Sequence, residues 1–329
     1  MNLLLTGGSG FIGHHTVEHL LKNTDWNIVV LDALTYAGDV NKVTDVGVFD
    51  PARVRVVWHD LRAPVMDSLV ERIGNVDYVI NMASESHVDR SIADPVPFVQ
   101  NNIALVLHML EYARQVQPTK FIQISTDEVY GPAPIGYDFA EWDTMLPSNP
   151  YAASKAAQES IAVSYWRTYG TPVAIVNAMN AFGERQHPEK FIPLTIDHLR
   201  NGRTVPVHAE WVGDAWEPGS RYWLHARNIA DALVFLLREV EFDRYPDADR
   251  PSKYHVVGTE ELDNLEVVTR IAAILEVEPR VEFVDFHTER PGHDRRYALD
   301  GSKLAAAGWK PPYSFDRSLR QTVAWMGAP

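Results

Sequence analysis

The chain has no cysteine, and that absence removes disulfides, thiolate zinc sites, iron–sulfur clusters and cysteine nucleophiles together. A reducing compartment fits such a composition. No stretch approaches the ~20 apolar residues of a membrane span. The opening segment Met1–Gly13 holds an apolar run of only Leu3 to Leu5 with no basic residues before it. It reads as folded structure rather than an export signal, and the expected location is cytoplasmic. Positive charge is also scarce: 30 Lys and Arg stand against 44 Asp and Glu, a formal net charge of −14. Such a surface repels phosphate backbones and anionic lipid, so neither nucleic acid nor membrane is expected as a partner. A phosphate-bearing ligand would need a local cluster of Arg, Lys or backbone N–H groups.

What is present describes a folded protein. The 329 residues are 46% hydrophobic and 22% charged, and a single core stops growing at roughly 250–300 residues, so a second lobe is expected. Apolar runs at Leu3–Thr6, Ile28–Asp32, Val54–Trp58, Tyr78–Asn81, Phe121–Ser125 and Val173–Val176 read as strands. Between them Thr16–Lys22, Val99–Arg114 and Tyr151–Tyr169 carry helical periodicity. This alternation predicts an α/β fold with a doubly wound parallel sheet covered on both faces. After about Asn180 the rhythm loosens, with a helix expected at Ile192–Asn201 and an irregular stretch over Ala209–Ser220. Leu224–Val240 reads as a strand and a helix whose Ile229, Ala232, Leu233, Leu236 and Leu237 share one face. Helices at Leu265–Leu275 and Ser314–Met326 close the chain.

Directly after the first strand comes Gly7-Gly8-Ser9-Gly10-Phe11-Ile12-Gly13. Glycines at this spacing permit a tight turn, a close approach by a pyrophosphate and tight helix–strand packing at the positive helix end. Asp32, ending the second strand about 20 residues on, is the expected acceptor for a ribose 2′-hydroxyl and would repel a 2′-phosphate, which favours NAD over NADP. Asp60-Leu61 after the third strand could flank the adenine; a solvated acid is the competing reading. These features predict a Rossmann-type domain over 1–180, with 222–258 rejoining it in part. A smaller C-terminal α+β lobe over 181–221 and 259–329 would then bind substrate.

Two further groups carry chemistry. Tyr151 and Lys155 are four apart on a helix, so an ammonium sits on the same face as a phenol and lowers the cost of a phenolate base. Ser125-Thr126-Asp127-Glu128-Val129-Tyr130-Gly131 lies at the carboxyl end of the fifth strand, where open α/β sheets bind ligands. Its hydroxyl and adjacent carboxylates could orient a substrate hydroxyl and divide acid and base work; a helix cap followed by solvated acids is the alternative.

The glycine turn, the Tyr-x-x-x-Lys pair and their order resemble the extended short-chain dehydrogenase/reductases that modify nucleotide sugars. Longer strings are similar to the dTDP-glucose 4,6-dehydratases: LDALTYAGD at 31–39, ASESHVDRSI at 83–92, STDEVYG at 125–131, PEKFIPL at 188–194 and RPGHDRRYALD at 290–300. The resemblance implies a redox-neutral dehydration of a nucleotide-activated hexose with retained NAD. Thr126 and Tyr151 would engage the hydroxyl on sugar carbon 4, and hydride would pass to NAD, with Lys155 on the nicotinamide ribose. Glu128 would take the proton from carbon 5, Asp127 would protonate the departing hydroxyl on carbon 6, and hydride would return there. It also places Ser86 and His87 near the sugar and Asn180, Arg221 and Arg290 around the diphosphate. Lys190 and His293 join the substrate side, while Arg295 and Arg296 have second-layer or surface roles as alternatives. No metal is assigned, since His14-His15 has no further ligand at usable spacing. Trp58, Trp166 and Trp223 read as core aromatics.

The Asp127-Glu128 pair separates dehydration from simple 4-epimerisation, which needs no such acid and base. Departures from the resemblance fall elsewhere. Asn-Asn-Tyr-Gly reads Asn180-Ala181-Phe182-Gly183, and Arg-Asp-Trp-Leu-Tyr reads Arg221-Tyr222-Trp223-Leu224-His225. The pyrimidine-contacting Pro-Ile-Tyr-Gly-Asp-Gly reads Pro206-Val207-His208-Ala209-Glu210-Trp211. The nucleotide base therefore stays open: a 4,6-dehydratase or decarboxylase of a UDP-type sugar is the enzymatic alternative, and an NAD-binding sensor or structural protein the non-enzymatic one. The superfamily's dimer-forming helices match Val99–Arg114 and Tyr151–Tyr169, so a homodimer is expected.

Overall fold

In the computed structural model, residues 1–286 and 292–327 are described. Seven parallel strands form the main sheet in the order Ser252–Val256, Val173–Ala178, Lys120–Thr126, Tyr78–Asn81, Asn2–Thr6, Asn27–Asp32 and Val54–Trp58. The chain starts in the middle, winds outward through the second and third strands, then crosses back to build the other half. The carboxyl ends of Asn2–Thr6 and Tyr78–Asn81 flank this reversal, the place where such sheets form a ligand crevice.

Side-chain alternation explains both faces. Leu3, Leu5 and Val30 point to one side, where Val17 and Leu20 of helix Phe11–Asn23 meet Ile229, Leu233 and Leu236 of helix Ala226–Glu239. Leu4, Val29 and Leu31 point to the other, against Val106 and Leu110 of helix Pro95–Val116 and Trp166 of helix Pro150–Tyr169. Burial of each such side chain contributes roughly 1.5–3 kcal/mol before entropy is counted. Both long helices start with Pro in the first turn, where the missing N–H costs nothing.

Three shorter helices, Phe191–Arg200, Asn264–Leu275 and Phe315–Trp325, enclose a separate core of Phe182, Ile196, Val207, Trp223, Val268 and Leu319. The stretch expected to be irregular is ordered: Val205–Val212 pairs antiparallel with Ala215–Pro218 and parallel with Val281–Asp285. Gly213, at φ +63°, makes the turn. Mixed Glu and Trp obscure the period-two pattern because one side of this hairpin faces solvent. Trp58 is a second correction: it is 63% exposed, with its indole donating to Ala33 O at 3.1 Å. It sits on the edge strand and alternates with Val57, which takes the buried side. Trp166 and Trp223 are buried. No helix among the described residues is long and apolar enough to cross a membrane.

Candidate active site

The glycine turn is packed too tightly for any side chain. Gly7 has φ +69°, and a Cβ on Gly13 would stand 2.2 Å from Gly7 O. The helix start therefore lies against the strand end, with the N–H groups of its first turn facing the crevice mouth. Asp32 is buried, one carboxylate oxygen accepting from Ser9 N at 2.9 Å and the other from Leu34 N at 2.8 Å. Each oxygen retains a lone pair for a further donor. Ser9 Oγ is buried without a partner. Asp60 is partly exposed and held by Arg62 at 2.5 Å, and the Leu61 side chain belongs to the apolar core with its backbone oxygen bonded to His108 at 2.6 Å.

At the tip of strand Lys120–Thr126 the chain turns into a single turn of 3₁₀-helix, Asp127–Tyr130, capped by the Thr126 side chain. The Thr126 hydroxyl donates to Asp127 Oδ1 at 2.8 Å and is near enough to the Tyr151 phenol to favour its charged form. Asp127 is 2% exposed, and its Oδ2 has no partner. Burial and the neighbouring Glu128 push the Asp127 carboxyl up to about 7, against smaller opposing effects from Thr126 and Arg221. Burial likewise raises Glu128, opposed by Asn149, Lys190 and Arg221. Asn149 Nδ2 donates to Glu128 Oε2 at 3.2 Å while its Oδ1 caps helix Pro150–Tyr169 at Ala152 N, 2.8 Å away. One residue thus places both the catalytic helix and a carboxylate. The Asn-Pro helix-start signal at 149–150 was available to find it; Tyr297, whose hydroxyl is 3.5 Å from Glu128 Oε2, has no local sequence signal.

Tyr151 and Lys155 share a helix face, but their heads part. The Lys155 ammonium donates to Ile124 O and Gln158 Oε1, both at 2.7 Å, rather than to the phenol. Fully buried carbonyl partners draw it toward the strand. Burial pulls Lys155 down to about 8, and Glu159 opposes that fall. The phenol is pushed well up by burial, then by Glu128 and Asp127.

The expected substrate residues converge unevenly. Arg221 is 8% exposed, tied to the backbone oxygens of Ser220, Arg295 and Asp294, and close enough to act on the carboxyls of Asp127 and Glu128. Lys190 immediately precedes helix Phe191–Arg200 and acts on Glu128 and His87. His87 Nε2 meets Glu189 at 3.1 Å, with Nδ1 buried and unpartnered. Asn180 Oδ1 is likewise unpartnered, Ser86 is exposed, and His293 pairs with Asp89 at 2.8 Å. Arg290 lies outside the described residues. Arg295 is bound by Glu210 and Glu217, and Arg296 by Asp138 and Glu261. His14 and His15 are buried with His225 and Glu184, and burial holds all three imidazoles below their usual range. No group of three metal-ligating side chains occurs among the described residues.

The family model described as GDP-mannose 4,6 dehydratase matches residues 4–322. The chain belongs to the GDP-mannose 4,6 dehydratase family. Within it, the low-salt glycan biosynthesis protein Agl12 of Haloferax volcanii is 40% identical over 98% of this chain and 97% of its own. A dTDP-glucose 4,6-dehydratase of Escherichia coli is 36% identical over 99% of this chain and 92% of its own. The crystal structure of the Streptomyces venezuelae dTDP-glucose 4,6-dehydratase, solved with NAD, superposes with a TM-score of 0.85 at 36% identity, covering 99% and 96% of the two chains. The crevice of this family member fits NAD on its own evidence: a cradle that a Cβ at Gly13 would close, an orphaned Ser9 hydroxyl, and Asp32 with spare acceptor capacity. Gly7, Gly10, Phe11, Ile12 and Gly13 would hold the diphosphate, Asp32 the adenosine ribose, and Tyr151 and Lys155 the nicotinamide side.

Proposed function

We propose that the protein is an NAD-dependent sugar-nucleotide 4,6-dehydratase that converts dTDP-glucose to dTDP-4-keto-6-deoxyglucose and water. The observation that carries this reading is the buried Asp127–Glu128 pair beside Thr126 and Tyr151, because water loss across carbons 5 and 6 needs an acid and a base beyond the Tyr–Lys pair, and epimerisation at carbon 4 does not. NAD, when bound, would take the hydride from sugar carbon 4, which acidifies the proton on carbon 5, and would return that hydride to carbon 6 once water has left. The protein supplies the rest. Tyr151, beside Thr126, exchanges the proton of the carbon 4 hydroxyl. Its raised pKa makes a nearby positive charge necessary, and Lys155 stands one helical turn away. Glu128, held by Asn149, accepts the carbon 5 proton and gives one back to carbon 5 when carbon 6 receives the hydride. Asp127, kept partly protonated near neutrality, donates to the hydroxyl leaving carbon 6.

Ser86, His87, Asn180, Lys190, Arg221, Arg290 and His293 form the substrate side of the same reading, residues 1–180 with 222–258 carrying the cofactor and 181–221 with 259–329 the sugar nucleotide. The altered Pro206–Trp211 segment favours testing a UDP sugar as the second reading. A cytoplasmic homodimer built on helices Pro95–Val116 and Pro150–Tyr169 is part of the proposal. These helices lie side by side, and Ile103, Leu107, Ile161 and Tyr165 keep partly exposed apolar surface. Incubation with dTDP-, UDP-, GDP- and CDP-hexoses, read by mass for loss of one water, tests the reading. Loss from dTDP-glucose is expected; loss from none of them overturns it. Light scattering at micromolar concentration should give twice the chain mass.

A further inference from the structure

Behind the catalytic helix lies an ion pair that the chemistry above does not use. Lys253, on the edge strand Ser252–Val256, meets Glu159 of helix Pro150–Tyr169 at 2.7 Å with both side chains 2% exposed. Two charges taken this far from water persist only where their other hydrogen-bonding capacity is met. Here Asn177 Nδ2 donates to Glu159 Oε1 at 2.7 Å, and the ammonium lies over the rings of Tyr130 and Trp142 at 4.8 and 5.2 Å. The same Asn177 amide donates to Thr126 O at 2.9 Å. The chain of contacts therefore runs from the sheet edge to the backbone of Thr126, which bonds Asp127 and acts on Tyr151. Glu159 also stands four residues after Lys155 on one helix face.

We infer that Glu159 and Lys253 are positioning residues for the dehydration: through Asn177 they fix the main chain of Thr126, and they place one fixed negative charge a helical turn from the Lys155 ammonium. This rests on the reading given under Proposed function. The surroundings leave Glu159 as the charge that acts on Lys155. Strand Lys120–Thr126 offers it the neutral Ile124 carbonyl, and helix Pro95–Val116 reaches it only through Asn102 O and Gln158. Asp127 and Glu128 act on Tyr151 of its own helix. Beside the pair, Tyr130 bonds His255 of the edge strand at 2.8 Å and the backbone of Glu141 at 2.8 Å. Burial favours loss of the Lys155 proton, and Glu159 opposes it.

The test is the double variant Glu159→Gln/Lys253→Met, which removes both charges and keeps a carbonyl for Asn177. Its thermal midpoint should stay close to wild type, while the alkaline limb of single-turnover carbon 4 oxidation, the step that Tyr151 and Lys155 serve, moves to lower pH, so that this rate above the limb falls about tenfold for each pH unit the limb moves, with KM unchanged. Glu159→Asp, which keeps the charge, should restore the wild-type limb. Asn177→Ala tests the other half while keeping both charges of the pair, since it removes the amide that joins Glu159 to Thr126 O: kcat should fall while KM and the limb stay in place. An unshifted limb in a folded double variant, or an unchanged kcat in Asn177→Ala, overturns the inference. The Asn177 variant decides alone if the double variant does not fold. Wild-type enzyme that dehydrates no nucleotide hexose overturns the functional reading first and separately.

Discussion

Asp127 is a carboxyl group buried beside a second one, Glu128. Its folded pKa is raised, from an ordinary 3.8 to about 7, so the folded state binds this proton more tightly than the unfolded chain. Stability is therefore lost as pH rises from about 4 to about 7, and the cost is fully present above that window. Asp127→Asn removes it: at pH 8 the variant should be more stable by a few kcal/mol at most, since a tenfold change in proton affinity is worth about 1.4 kcal/mol. Comparative urea melts at pH 8 and pH 5 check the prediction, and the gain should shrink at the lower pH. The same substitution should slow water loss more than carbon 4 oxidation, so absorbance of enzyme-bound reduced nicotinamide builds up in stopped flow. In the wild type kcat should decline as pH rises through about 7, because the acid is then lost. The decline should be absent from single-turnover oxidation of carbon 4.

At the scale of elements, the helix Pro150–Tyr169 carries Tyr151, Lys155 and Glu159 on successive turns, and Asn149 sets its start. Asn149→Ala should cost about 1 kcal/mol as a lost cap and raise Glu128 further, visible as an acidic limb of kcat displaced to higher pH. A lost cap alone would leave that limb in place. Gly13→Ala forces a Cβ to within 2.2 Å of Gly7 O and should yield protein that no longer retains NAD, measured by the cofactor released on denaturation. Most elements were legible in the sequence because their apolar periods were clean: Val54–Trp58 and Tyr78–Asn81 have the expected limits, and the other four early strands and the two long helices extend one to four residues beyond theirs. Ser252–Val256 was not recognised as a sheet strand, since Lys253 and His255 alternate into a buried polar network rather than onto solvent. Period alone cannot reveal a buried lysine whose partner is 94 residues away.

For the whole molecule, the sheet brings the glycine turn, the Thr126 tip and the Tyr151 helix to one edge because all seven strands run the same way. Asp127, Glu128, Tyr151 and Lys155 were identifiable from local strings. What escaped was their mutual geometry: Lys155 turned to Ile124, Asn149 and Tyr297 on Glu128, and Arg221 reaching both carboxylates, all set by contacts across long sequence distances. Trp166 is wholly buried where the catalytic helix meets the sheet, so Trp166→Ala should destabilise by about 3–5 kcal/mol in chemical denaturation. The central claim is that Glu128 and Asp127 divide base and acid work at carbons 5 and 6. The most direct measurement is turnover of dTDP-glucose in deuterated water by wild type and Glu128→Gln, read by mass and NMR. One solvent deuteron at carbon 5 of the wild-type product, and no such incorporation by the variant, is the predicted result; undiminished incorporation by Glu128→Gln would contradict the assignment.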